Sequence, residues 1–155
     1  MDPSFNKKGA SKEGAILFAC TMNAVRSPMA AALLRHLTRG GIYIESAGVK
    51  AGELDPLAVE AMGEIGLEMG KHKPRRFEDL EDGSFDLVIT LSPEAQHKAM
   101  ELTRTAATRV EYWPTMDPTA AEGSREQRLQ AYRAVRDQLM RRLKQRFLAP
   151  AAADT

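Results

Sequence analysis

The stretch AILFACTMNAVRSPMA, residues 15–30, decides the fold of this chain. Its first part, residues 15–19, is an apolar run of the length of a buried β-strand. After a short loop, Ser27-Pro28 places a capping side chain before a proline at the first helical position, which predicts the start of a helix. A strand, a loop and a helix in this order are typical of an α/β protein.

The rest of the chain continues this alternation. Apolar, β-rich runs occur at residues 42–45, 85–91 and 109–113, and helical patterns separate them. Asp55-Pro56 and Ser92-Pro93 predict two further helix starts, and Ser124 with Gln127 forms a capping box before the last helix. The last helix carries a stripe of apolar residues that we interpret as core: Leu129, Tyr132, Val135, Leu139, Leu143 and Phe147. We therefore predict an α/β fold with a parallel sheet covered by helices.

Length and composition predict one domain. The 155 residues are enough for a single core, and we expect a flexible amino-terminal arm at residues 1–13, one domain at 14–149 and a disordered tail at 150–155. The polar amino end has no apolar segment of the kind found in secretory signals, and no apolar run is long enough to cross a bilayer. We expect a cytoplasmic protein.

Charge and cysteine content exclude several kinds of partner. The 22 basic and 21 acidic residues give a net charge of +1, which argues against nucleic-acid or membrane partners. Basic residues gather in KHKPRR and near the carboxyl end, and we interpret both groups as solvated. A single cysteine forbids an internal disulfide, and three scattered histidines form no zinc pattern. We expect neither a metal nor a cofactor.

The lone thiol of Cys20 lies where ligands bind in open α/β sheets, at the carboxyl end of a strand. A free cysteine is more often a small buried apolar residue, but here a loop and a helix start follow it. The loop residues whose N–H groups are candidates for an oxyanion cradle are Thr21, Met22, Asn23, Ala24 and Val25. Arg26 adds a planar fork for two phosphate oxygens, and the same positive field stabilises a thiolate. We predict that Cys20 is a nucleophile that attacks an anion held by Arg26.

Asp117 is the candidate general acid. It stands in YWPTMDPT after the fourth predicted strand, at the sheet edge where the Cys20 loop opens. A carboxylic acid opposite the nucleophile assists the departure of an alkoxide or phenoxide by protonating it. The alternative is a simple Asp-Pro turn without catalytic function.

The motif CTMNAVRS resembles the signature of the low-molecular-weight protein tyrosine phosphatases and the related arsenate reductases, a cysteine, five residues, an arginine and a serine. The resemblance extends over residues 15–147. It includes SPMAAALLRHL as the first helix, ESAGV as the second strand and turn, HKPRRF as the next loop, FDLVITLS as the third strand and DPT as the acid loop. It implies four parallel strands in the flavodoxin-like order 2-1-3-4, with helices on both faces.

The resemblance also implies functions for individual residues. Asn23, Ser27, Ser46 and His72 match four residues that support the cradle and the thiolate by hydrogen bonds. Taken singly, Ser27 is also a helix cap, Asn23 and Ser46 are turn formers, and His72 is an exposed loop residue. In the implied mechanism Cys20 forms a phosphocysteine, while Asp117 acts first as acid and then as base.

The chain departs from the family pattern at several positions. Val25 stands where many tyrosine phosphatases have a second cysteine. Met22 replaces a glycine, so it takes either an unusual backbone angle or a place at the pocket mouth. Thr119, Ala120 and Ala121 stand where aromatic residues usually follow the acid, which leaves Tyr112, Trp113 and Met22 as candidates for a pocket wall.

Three functions remain open. The first is a cysteine-dependent phosphatase acting on phosphotyrosine-like or other aryl or protein phosphomonoesters. The second is an arsenate reductase that uses an external thiol, because one cysteine rules out an intramolecular disulfide relay and Ser92 stands near the place of a relay cysteine. The third is an oxyanion-binding regulatory module without turnover. A phosphocarrier subunit of a sugar transport system also uses a cysteine loop at the end of a strand. Such a subunit does not need an arginine at this position, so Arg26 argues against this function.

The partners follow from these functions. We expect a phosphorylated protein or small aryl phosphate, phosphate or arsenate as the bound oxyanion, and an external thiol reductant in the second case. We expect no nucleic acid, no membrane, and a monomer or weak dimer.

Overall fold

The computed structural model describes residues 13–81, 83–104 and 106–148. The arm predicted for residues 1–13, apart from Glu13, and the tail predicted for residues 150–155 lie outside these described residues. The bounds of the four strands are β1 (Ala15–Cys20), β2 (Tyr43–Gly48), β3 (Leu87–Thr90) and β4 (Arg109–Tyr112). All neighbouring strands are parallel and their order is β2-β1-β3-β4, which confirms the predicted topology.

The helices lie on both faces of the sheet. Their bounds are α1 (Arg26–Thr38), α2 (Pro56–Gly63), α3 (Pro93–Leu102) and α4 (Arg125–Phe147), with 3₁₀ turns at Phe77–Asp79 and Pro118–Ala120. Alternate side chains of β1 point to opposite faces. Ile16 and Phe18 belong to the core shared with α1, α2 and α4, whereas Leu17 and Ala19 belong to the core shared with α3.

Most of the predicted helix starts are confirmed. The Asp55 carboxylate accepts a hydrogen bond from the N–H of Leu57, and Ser92 Oγ accepts one from the N–H of Ala95. The capping box before α4 is present, and every residue of its predicted apolar stripe is buried. The first start is wrong, because α1 begins at Arg26 and its N-cap, Val25, makes no side-chain hydrogen bond.

Two residues also differ from their simplest interpretations. Ser46 lies within β2 and is buried, so it is not a turn former, because β2 extends to Gly48 and not only to residue 45. His72 is half-buried and not exposed, and its ring contacts Asn23. Among the helices of the described ranges, none is both long and apolar enough to span a bilayer.

Candidate active site

The thiol of Cys20 lies at the end of the central strand β1 and beside the amino end of α1. Cys20 is 2% exposed. Its Sγ lies 3.0 Å from Ser27 Oγ, and the N–H of Ser27 donates to the sulfur at 3.4 Å. The Ser27 side chain thus contacts the thiol and does not cap α1. The sulfur thus accepts one N–H from the first turn of α1, and the hydroxyl of Ser27 lies within hydrogen-bond distance of it.

Asn23 shapes the loop. Its φ of 55° is in the left-handed region, which asparagine tolerates better than most residues. The buried side chain donates from Nδ2 to Ser27 Oγ at 2.8 Å and to Ser46 Oγ at 3.0 Å. Its Oδ1 accepts from the N–H of Arg75 at 2.9 Å. The amide therefore ties the loop to α1, to β2 and to the segment after α2.

His72 completes this network. Its Nε2 lies 3.1 Å from both Asn23 O and Asn23 Oδ1. Since both atoms are acceptors, Nε2 carries the proton. Burial lowers the pKa of His72 from its usual value, with the charge of Arg35 acting in the same direction. The neutral ring is consequently the form that supports the loop.

The half-buried His72 makes the stability of the protein depend on pH. In the unfolded chain this histidine binds a proton at a higher pH than in the folded chain, so acidification stabilises the unfolded state. We expect the free energy of unfolding, measured in urea between about pH 7.5 and about pH 5.5, to fall as the pH passes below about 6.5. His72→Gln should reduce this dependence. The exposed His36→Gln is the matched control, and equal pH slopes in wild type and His72→Gln would contradict the assignment.

A second set of hydrogen bonds holds the loop from the side of β2. The N–H groups of Val49, Lys50 and Gly52 donate to the carbonyls of Cys20, Thr21 and Met22 at 3.1, 2.9 and 2.9 Å. Gly48 makes this approach possible, since a Cβ there would lie 2.5 Å from the carbonyl oxygen of Lys50 and 2.8 Å from Asn23 N. The sequence analysis missed Gly48, whose signal is the glycine of ESAGV at the end of the second strand.

The cradle residues do not all face the same way. Thr21 Oγ1 points towards the start of α3, where it lies 3.0 Å from Ser92 Oγ and 3.2 Å from Glu94 Oε1.

Met22 is 42% exposed and lines the pocket mouth. Among the described residues other than glycine, only Asn23 and Arg39 have positive φ, so Met22 carries no left-handed strain. Of the two possibilities for Met22, the structure therefore has the projecting side chain.

A pocket of about 380 Å³ opens above Cys20. Its lining residues are Cys20, Met22, Ala24, Val25, Arg26, Gly52, Glu53, Leu54, Asp55, Pro56, Asp117 and Thr119. Of the three candidates for the pocket wall, Met22 lines the pocket, whereas Tyr112 and Trp113 are absent from the lining, so the prediction is wrong for these two residues. Trp113 is buried instead, and its Nε1 donates to Glu111.

Arg26 and Asp117 face each other across this pocket. Arg26 is 8% exposed, and its Nη1 donates to the carbonyl of Thr115 at 3.0 Å. Its Nη2 lies 3.8 Å from Asp117 Oδ2. Asp117 Oδ1 accepts from the N–H and from Oγ1 of Thr119, so Asp117 also forms the turn that its Asp-Pro pattern predicts. The other oxygen remains on the pocket side.

Two further carboxylates in the pocket were missed by the sequence analysis, which interpreted Asp55 only as a helix start. Asp55 Oδ1 accepts from Leu57 N and Oδ2 accepts from the hydroxyl of Tyr132 at 2.5 Å. Burial and this hydrogen bond raise the pKa of Tyr132. Glu53 is exposed at the mouth. Within the part of the chain that the structure covers, no group of acidic, histidine or cysteine side chains is arranged to hold a metal ion.

Comparison with known proteins identifies the family. Residues 15–153 match the low molecular weight phosphotyrosine protein phosphatase family. The arsenate reductase of Shouchella clausii (strain KSM-K16) is 36% identical over 130 residues, which cover 83% of this chain and 91% of the relative.

Two solved structures resemble the chain. The YwlE arginine phosphatase from Geobacillus stearothermophilus aligns with a TM-score of 0.69 and 27% identity, over 84% of this chain and 88% of that protein. The Erwinia amylovora tyrosine phosphatase amsI aligns with a TM-score of 0.72 over 91% and 95% of the two chains, and at 20% identity it supports the fold alone. The Cys20 loop, the sheet order and the match over nearly all of the domain agree, and the chain belongs to the low molecular weight phosphotyrosine protein phosphatase family.

Proposed function

We propose that the protein is a cysteine-dependent phosphatase that hydrolyses phosphomonoesters through a phosphocysteine. One observation carries the proposal: Cys20, Arg26 and Asp117 line a single pocket at the amino end of α1. The thiol supplies a nucleophile, the guanidinium and the loop N–H groups supply an oxyanion site, and the carboxyl group supplies a proton donor.

The reaction has two steps. In the first, the Cys20 thiolate attacks phosphorus, the S–P bond forms, and the P–O bond to the leaving group breaks. Asp117 gives its proton to the departing oxygen. In the second, Asp117 takes a proton from water, the water oxygen attacks phosphorus, and the S–P bond breaks to release phosphate and the thiolate. Arg26 and the loop N–H groups stabilise the equatorial oxygens in both steps.

Aryl and protein phosphomonoesters, including phosphotyrosine, are the substrates that we propose. The family description supports this class. The pocket offers aliphatic contacts from Met22, Ala24, Val25 and Leu54, which suit an apolar leaving group without ring stacking. A cytoplasmic location is part of the proposal, because a reducing compartment keeps the single thiol free.

Arsenate reduction with an external thiol is the second candidate. The Shouchella clausii relative, an arsenate reductase, favours it. The sequence contains one cysteine, so the two electrons that arsenate needs come from thiols outside the chain. Ser92, which caps α3 next to Thr21, has no sulfur to offer. The third candidate, an oxyanion-binding module, retains the cradle without turnover.

Parallel assays separate the three candidates. We expect release of p-nitrophenolate from p-nitrophenyl phosphate, with arsenate as a competitive inhibitor and no arsenite formed in the presence of glutathione and glutaredoxin. Arsenite formation that requires the thiol, without phosphatase turnover, would identify the reductase. Binding of phosphate without either reaction would identify the module. The same mixtures without thiol are the control.

A further inference from the structure

The charge of the pocket is unusual for a site that receives an anion. The described lining residues include three acidic residues, Glu53, Asp55 and Asp117, and one basic residue, Arg26. A doubly charged phosphoryl group thus enters a pocket that carries more negative than positive side chains. Repulsion of this kind favours substrates that bring their own positive charge.

The three carboxylates are not equivalent. Asp117 faces Arg26, and both oxygens of Asp55 already accept hydrogen bonds, from Leu57 N and from Tyr132. Glu53 is exposed, and across the described ranges of the chain no hydrogen bond or ion pair engages its carboxylate. Glu53 is therefore the acidic group at the pocket that is available to a ligand.

The backbone around Glu53 is fixed relative to the Cys20 loop. On one side, Gly52 N donates to the carbonyl of Met22 at 2.9 Å. On the other side, Asp55 N donates to the carbonyl of Ala24 at 3.4 Å. Glu53 lies between these two bonds, so its backbone is positioned at the pocket mouth, which Met22 also lines. Attachment to a rigid loop makes a charged side chain an effective selector.

We propose that Glu53 determines specificity by binding a cationic group on the substrate, close to the phosphorylated side chain. This inference rests on the proposed phosphatase function and names its substrate class, a phosphorylated peptide with a basic neighbour. The absence of aromatic residues from the described lining leaves charge as the main feature of the mouth that distinguishes one peptide from another.

Two peptides provide the test. They contain phosphotyrosine and are identical except that the next residue is arginine in one and citrulline in the other, which replaces a charged guanidinium by a neutral group of the same size. Dissociation constants are measured by calorimetry with Cys20→Ser protein, and kcat/KM is measured with the intact thiol. We expect the arginine peptide to bind about three- to fivefold more tightly, a preference typical of an exposed charge pair.

The variants locate the effect. Glu53→Gln should make the two peptides bind equally, whereas Glu81→Gln, an exposed glutamate outside the pocket lining, should keep the preference. A preference that survives in Glu53→Gln overturns the proposal, as does equal binding, or no binding of either peptide, by the Cys20→Ser protein. A binding preference that depends on Glu53 supports the proposal even if the protein with the intact thiol shows no turnover. That combination of results would reject only the phosphatase function.

Discussion

Cys20→Ser is expected to lower the turnover of p-nitrophenyl phosphate by a factor on the order of 10⁴ or more. The serine hydroxyl fits beside Ser27, but it is not ionised. The histidine of the network, His72, contacts Asn23 and not this position. The serine hydroxyl is thus a far weaker nucleophile than the thiol at this position. Initial rates at saturating substrate measure the loss. Circular dichroism and calorimetric binding of inorganic phosphate check that the fold and the cradle remain.

The single thiol allows an independent control. Because the sequence contains one cysteine, alkylation by iodoacetate reports on Cys20 alone. We expect loss of activity to follow the incorporation of one carboxymethyl group, and phosphate to protect against both. Residual turnover in fully alkylated or Cys20→Ser protein would show that another group carries the reaction.

Asp117→Asn is expected to lower kcat by about 10²- to 10³-fold for phenyl phosphate, and by less for p-nitrophenyl phosphate. Phenolate is the poorer leaving group, so its departure depends more on a proton from the carboxylic acid. Asparagine keeps an oxygen that accepts the two hydrogen bonds of Thr119, so the turn remains folded. Phosphate binding should change far less than turnover. The measurement is kcat for both esters across the pH range.

Asp55→Asn is the matched comparison, because Asp55 is the other aspartate of the pocket. Both of its oxygens are engaged, so we expect no change in the ratio of the two esters. If Asp55→Asn and not Asp117→Asn altered that ratio, the acid would be Asp55. If neither did, the first step would proceed without a protein acid.

The sequence predicted the features that depend on neighbouring residues. The strand, loop and helix around Cys20 are visible in order along the chain, and Asp55 and Ser92 cap their helices as their Ser/Asp-Pro pattern indicates. The same pattern failed at Ser27, because its hydroxyl bonds to groups that are distant in sequence or belong to the loop. Local propensity describes a cap well only when nothing else competes for the side chain.

The features that were missed depend on contacts between distant segments. Gly48 matters because the chain returns over the Cys20 loop, and Arg75 matters because its backbone N–H reaches Asn23 from 52 residues away. KHKPRR was interpreted as solvated, yet Arg75 Nε also donates to the carbonyl of Ser46. Glu53 lies at the pocket because the backbone on either side of it is hydrogen-bonded to the Cys20 loop. None of these pairings has a periodic signature in the sequence.

The anchoring of Arg26 to the carbonyl of Thr115 has a consequence for synthesis of the protein. The Cys20 loop is synthesised before its partners: the Thr115 carbonyl, which accepts a hydrogen bond from Arg26, and Asp117, the proposed acid, come 89 and 91 residues after Arg26. Domains generally fold as units during synthesis. A nascent chain that stops before Thr115 thus carries the thiol without two groups that the proposed reaction needs, the carbonyl that holds the Arg26 guanidinium and the carboxyl group of Asp117.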